Sequence, residues 1–129
     1  MGKTWKIACT FFCCLMLCAC TEKSTAPRLV TKISVTDSTG LTRIYTEPRK
    51  MEVILYYLRA LEPSGKAKTD PERILGQSYR ICVSFSDGQQ TIYRQRANRF
   101  LSRDSHPWQN INFKKAAYLQ TLLEAMPQG

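Results

Sequence analysis

Asp104, Ser105 and His106 are consecutive in the chain, and they are the residue types of a hydrolase triad. Sequence neighbours point in different directions, whereas a triad needs side chains from separate elements in hydrogen-bonded contact. The stretch is therefore expected to be a surface loop that turns at Pro107, with Trp108 packing back on the domain. Cys82 with His106 would be the pair for thiol chemistry, but the placement of Cys82 inside an alternating strand predicts a half-buried packing residue. One histidine and one distal thiol are too few soft ligands for a metal centre. Gly40, Gly65, Gly76 and Gly88 stand singly, so no phosphate-cradling loop is formed, and no cofactor is expected.

The constellation with chemical content is basic and aromatic: Tyr93, Arg94, Arg96, Arg99, Phe100 and Arg103, joined by Arg80. Guanidinium forks take carboxylate or phosphate in bidentate fashion, and exposed aromatic rings stack on sugars and side chains. The pattern suits an anionic envelope polymer or an acidic protein partner. Arginine alternating along an edge strand also protects a sheet from edge-to-edge association, and that structural role accounts for the same residues.

The 129 residues carry 19 Lys and Arg against 10 Asp and Glu, with six cysteines, of which only Cys82 lies beyond the first twenty positions. A disulfide framework is excluded, because one distal thiol cannot build it. Residues 1–6 bear two positive charges, and residues 7–20 (IACTFFCCLMLCAC) form an uninterrupted apolar and small run of fourteen before polar TEKSTAP. This is the layout of an export signal. The run is shorter than the roughly 20 apolar residues a spanning helix needs. Myristoylation after Met-Gly would want Ser or Thr where Lys6 stands. An ordinary signal peptide cleaved after Ala19 is the other reading, with its cysteines acting as small hydrophobes.

Leu17-Cys18-Ala19-Cys20 resembles the lipobox of bacterial lipoproteins, in which a branched apolar residue and two small ones precede the cysteine that receives lipid. The resemblance implies a signal peptide over residues 1–19, lipidation (palmitate-type acylation) at Cys20, and attachment to a membrane on its extracytoplasmic side. By the same resemblance, Thr21, where aspartate would retain the protein at the inner membrane, is compatible with the outer membrane in a cell that has two. Several acyl chains, each methylene contributing about 0.8 kcal/mol when buried, hold a domain on a membrane essentially permanently. Loss of Lys3 and Lys6 with the signal takes 19 basic residues to 17 against 10 acidic, net +7. Such an excess favours anionic headgroups or wall polymers, and export argues against nucleic acid as the partner.

The elements that would position these residues follow from periodicity. Residues 20–28 read as a flexible tether. Residues 29–35 (LVTKISV) and 41–46 (LTRIYT), flanking the turn composition of residues 37–40, predict a first hairpin. Thr46 is placed to cap a helix with Glu47 and Pro48 in its first turn. Its stripe is Met51, Ile54, Leu55, Leu58 and Leu61. After a loop to Asp70, Asp70-Pro71 starts a short helical piece that closes at Gly76. Residues 79–85 alternate, and Asp87-Gly88 predicts a two-residue hairpin in which Val83 faces Ile92 and Cys82 faces Tyr93. That register sets Arg94 and Arg96 on the core face, unless a bulge shifts it by one and turns them out. Phe100 and Leu101 suggest a further strand after an Ala97-Asn98 turn. Asn112 caps a last helix whose apolar side is Phe113, Ala116, Ala117, Leu119, Leu122, Leu123 and Met126.

The expected fold is α+β over residues 29–129: an antiparallel sheet of four to five strands with two helices on one face. The expected function is that of a membrane-anchored binding module and not an enzyme. The alternatives are a small inhibitor or immunity-like protein acting on another exported protein, and a thiol- or His106-dependent enzyme.

Overall fold

The computed structural model describes residues 28–61 and 63–129. The proposed signal (residues 1–19), Cys20 and most of the tether lie outside the described residues. One antiparallel sheet is built from β1 (Val30–Thr36), β2 (Thr42–Tyr45), β3 (Ser78–Phe85), β4 (Gln90–Arg96), β5 (Phe100–Arg103) and β6 (Gln109–Asn110), in the order β2-β1-β3-β4-β5-β6. Helix α1 (Pro48–Arg59) joins β2 to β3 by way of a 3-10 turn (Pro71–Arg73), and α2 (Phe113–Ala125) follows β6.

Alternation along the strands separates the two faces. Ile33 and Val35 of β1 pair with Val83 and Ile81 of β3, and all four are buried. Met51, Ile54, Leu58 and Leu61 from the first helical segment and Ala116, Leu119 and Leu123 from α2 join them in one cluster. Both helices thus cover the same face, as the α+β reading expects, and the sheet has six strands where four to five were expected. The sixth is only two residues long and is held by tertiary pairing. Ser64 N–H donates to the Asn110 carbonyl at 2.9 Å, Asn110 N–H to Gly65 at 2.8 Å, and Ala67 N–H to Trp108 at 2.9 Å.

The helix ends differ from expectation in instructive ways. Asn112 caps α2 as predicted, accepting from Lys115 N–H at 3.1 Å, and Asp70 caps the short turn by accepting from Glu72 N–H. That turn ends before Ile74, short of Gly76. At α1 the cap position belongs to Glu47, not Thr46, and its side chain makes no cap bond. The C-terminal residues fold back here, so that Thr46 and Glu47 N–H groups donate to the Gly129 carbonyl at 3.2 and 3.3 Å. Phe113, expected on the apolar side of α2, is 57% exposed, because the first position of the helix overhangs the cluster edge.

Arg43 of β2 closes the other end of α2. Its guanidinium donates to the carbonyls of Leu123 at 3.0 Å and Glu124 at 3.1 Å, beside the Tyr45 hydroxyl, which donates to Met126 at 3.0 Å. A cation on the last carbonyls satisfies orphan acceptors and complements the helix dipole. Arg43→Ala is expected to cost about 1–2 kcal/mol, measured by urea unfolding, and Arg43→Lys is expected to recover part of that loss.

The second hairpin departs from the predicted register. Phe85 N–H donates to the Gln89 carbonyl at 2.9 Å and Gly88 N–H to Phe85 at 3.1 Å, enclosing a three-residue loop with Gly88 at φ +85°. Val83 consequently faces Thr91, Cys82 faces Ile92, and Ile81 faces Tyr93. A one-residue slip exchanges the faces of every following side chain. Arg94 and Arg96 therefore leave the core side, and Tyr93 enters it.

Candidate functional site

The face opposite the helices carries the basic cluster. Across it runs a row in which Thr42 pairs with Thr36, Thr36 with Arg80, Arg80 with Arg94, and Arg94 with Ser102. Arg80 and Arg94 are exposed and directly opposite one another. Opposed positions set Cβ atoms roughly 4.5–5.5 Å apart, and like charges there are destabilising. Among the described residues no carboxylate pairs with either guanidinium.

The neighbours hold this pair in place. The Trp108 ring lies against the Arg94 guanidinium, 5.4 Å from its centroid, in a cation–π contact. Half-buried Arg96 donates to the carbonyls of Ile74 at 3.2 Å and Glu72 at 3.1 Å, which ties the 3-10 segment to one end of the face. Together they border a depression of about 360 Å³ that Thr36, Asp37 and Glu72 also line. Asp37 is committed to its own turn. Its Oδ1 accepts from Thr39 N–H at 2.9 Å and Leu41 N–H at 3.1 Å, and the Thr39 hydroxyl, the largest influence, holds the carboxyl below the usual range. Burial pushes the Tyr79 hydroxyl well above the ordinary tyrosine range, assisted by Glu124 at 3.4 Å.

The basic and aromatic patch read from the sequence is split by the sheet, and its Phe100 is buried opposite Arg96. Arg94 and Arg96 share the open face, Arg99 lies exposed in the β4–β5 turn, and Tyr93 and Arg103 pair on the helix side. Arg80 joins the first group. Trp108 was read as packing, and no pattern marks it as a partner of Arg94, since its position depends on the loop between β5 and β6.

Asp104 and His106, of the triad types, serve that loop together with Ser102 of β5. Asp104 Oδ1 accepts from Ile92 N–H at 2.9 Å, Ser102 Oγ donates to the His106 carbonyl at 2.9 Å, and His106 Nδ1 lies 2.9 Å from the Arg103 carbonyl. Cys82 is half-buried on the open face between Ser34 and Ile92. Among the described residues no three His, Cys, Asp or Glu side chains gather as a metal site, and no helix is long and apolar enough to cross a membrane.

The geometry defines a class: a single-sheet α+β domain with one helix-covered face and one open, arginine-bearing face. Compared with protein-family models, curated proteins and solved structures, the chain finds no match.

Proposed function

We propose that the protein is a lipid-anchored, extracytoplasmic binding module, held by acylated Cys20, whose open sheet face takes a carboxylate- or phosphate-bearing partner. The observation that carries this reading is the direct opposition of Arg80 and Arg94 with Trp108 stacked on one of them. Two cations facing each other without a counter-ion weaken a sheet. An anion bridging them removes the repulsion and gains charge-assisted hydrogen bonds. An envelope polymer or an acidic protein surface supplies such groups, and the domain acts by binding and not by catalysis. Asp104, which accepts from the Ile92 N–H of β4, and His106, whose Nδ1 lies against the Arg103 carbonyl, are both engaged by backbone groups, which supports the non-catalytic reading.

Retention of the protein on immobilised polyglutamate and polyphosphate tests the site. Binding is expected to weaken steeply with salt, as the Debye length falls from about 10 Å at 0.1 M to about 3 Å at 1 M. Arg80→Ala with Arg94→Ala should abolish retention at moderate salt, whereas Arg49→Ala with Lys114→Ala on the helices should reduce it only slightly. Equal losses in the two variants would reduce the effect to net charge. Mass spectrometry of the N-terminal peptide tests the anchor: diacylated Cys20 is expected, and an intact, unmodified stretch of residues 1–20 would contradict it.

A further inference from the structure

The helix side of the sheet holds a separate groove that this reading does not use. The slipped register places Tyr93 and Arg103 opposite each other on the inward face, at the margin of the core cluster, against which Tyr93 and Leu55 pack. Val83, Tyr93 and Leu101 line one side and Leu55 and Leu58 of α1 the other of a solvent-open groove of about 480 Å³, to which Thr91 and Gln109 also contribute. That volume is in the range of small-molecule sites, which are mainly apolar with a few convergent polar groups.

The mouth is cationic. Arg28, Arg59 and Arg103 line it, and no carboxylate does among the described residues. Arg28 is held in place: its guanidinium stacks 4.4 Å from the Phe85 centroid and donates to Gln89 Oε1 at 2.9 Å. Its contact with Asp87, at 4.0 Å, is at the limit of an ion pair. The guanidinium groups of Arg59 and Arg103 have no hydrogen-bond or ion-pair partner among the described residues. A gap left by imperfect packing would be rimmed by solvated residues of either sign. Three guanidinium groups beside the apolar side chains of Leu55, Tyr93 and Leu101 are complementary to an alkyl chain that ends in an anion.

We infer that this groove binds a small amphipathic anion, an alkyl or acyl chain bearing a terminal phosphate or carboxylate, independently of the open face. The chain lies on Val83, Tyr93 and Leu101 and the head group bridges Arg59 and Arg103.

Calorimetric titration tests the site, with the full chain held in neutral phosphatidylcholine nanodiscs and empty discs as the blank. The probes are hexyl, octyl and decyl phosphate, inorganic phosphate, and decyltrimethylammonium. Alkyl phosphates are expected to bind, tightening about fourfold per methylene, while inorganic phosphate and the cation do not. Arg59→Ala with Arg103→Ala should weaken octyl phosphate about tenfold or more, with an unchanged thermal midpoint, since both side chains are exposed. Arg80→Ala with Arg94→Ala should leave it unaffected, which separates this site from the open face. Undiminished binding in the Arg59/Arg103 variant, equal binding of inorganic phosphate or of the cation, or loss in the Arg80/Arg94 variant would each overturn the assignment.

Discussion

Ile54→Ala is expected to lower the stability of the domain by about 2–5 kcal/mol, the range for an aliphatic truncation in a packed core. Ile54 is fully buried at the centre of the α1 stripe, between Met51 and Leu58, and faces the cluster formed by Ile33, Ile81 and Val83. The helix covers one face of a sheet whose other face is open, so no second layer can close around the cavity. For a domain of this size each kcal/mol lowers the midpoint by about 4–8 °C. Since whole-domain stabilities are about 5–15 kcal/mol, a single truncation removes a large share. Thermal unfolding followed by circular dichroism measures it, with Glu52→Ala, exposed on the same helix, expected to stay within about 0.5 kcal/mol. A loss below about 1 kcal/mol for Ile54→Ala would mean that α1 is not docked on the sheet as described.

Arg80→Glu carries the second large expectation, because it should move stability and binding in opposite directions. Glu at this position faces Arg94 across the β3–β4 pair, turning a repulsive cross-strand contact into an attractive one. Such a change stabilises by about 0.2–1 kcal/mol. The same substitution removes one half of the anion clamp and puts a negative charge in its place, so retention of a polyanion should be lost and not merely weakened. A surface that gains stability when its charge is corrected is one whose charge serves something other than the fold. Trp108→Ala provides the milder companion: it frees Arg94 from its stack and should reduce affinity while keeping the salt dependence.

Much of this architecture was legible in the sequence. The 3.6-residue stripe of α1, the alternation of Tyr79, Ile81 and Val83, and the Asn112 cap appear where they were expected, since each depends on local spacing alone. The length of the second turn did not. Asp87-Gly88 suits a two-residue turn, which needs positive φ at both positions, and also a three-residue loop, which needs it only at Gly88. The second is the one formed, and a difference of one residue exchanged Tyr93 for Arg94 on the open face. Strand β6 was illegible for another reason: two residues have no periodicity, and their pairing partners at Ser64, Gly65 and Ala67 are distant in sequence. The groove residues Arg28, Arg59 and Arg103 likewise come from three separated segments. Only the fold brings them to one mouth.

The central claim, that the open face is built around an anion, is tested most directly by one comparison: urea unfolding of the parent and of Arg80→Glu, each with and without polyphosphate. A ligand that binds only the folded state raises stability by RT ln(1 + [L]/Kd), about 2.7 kcal/mol at a hundredfold excess over Kd. The parent midpoint should rise with polyphosphate, whereas Arg80→Glu should start higher and stay unchanged. A variant that starts lower than the parent, or that rises by the same amount when polyphosphate is added, would contradict the account.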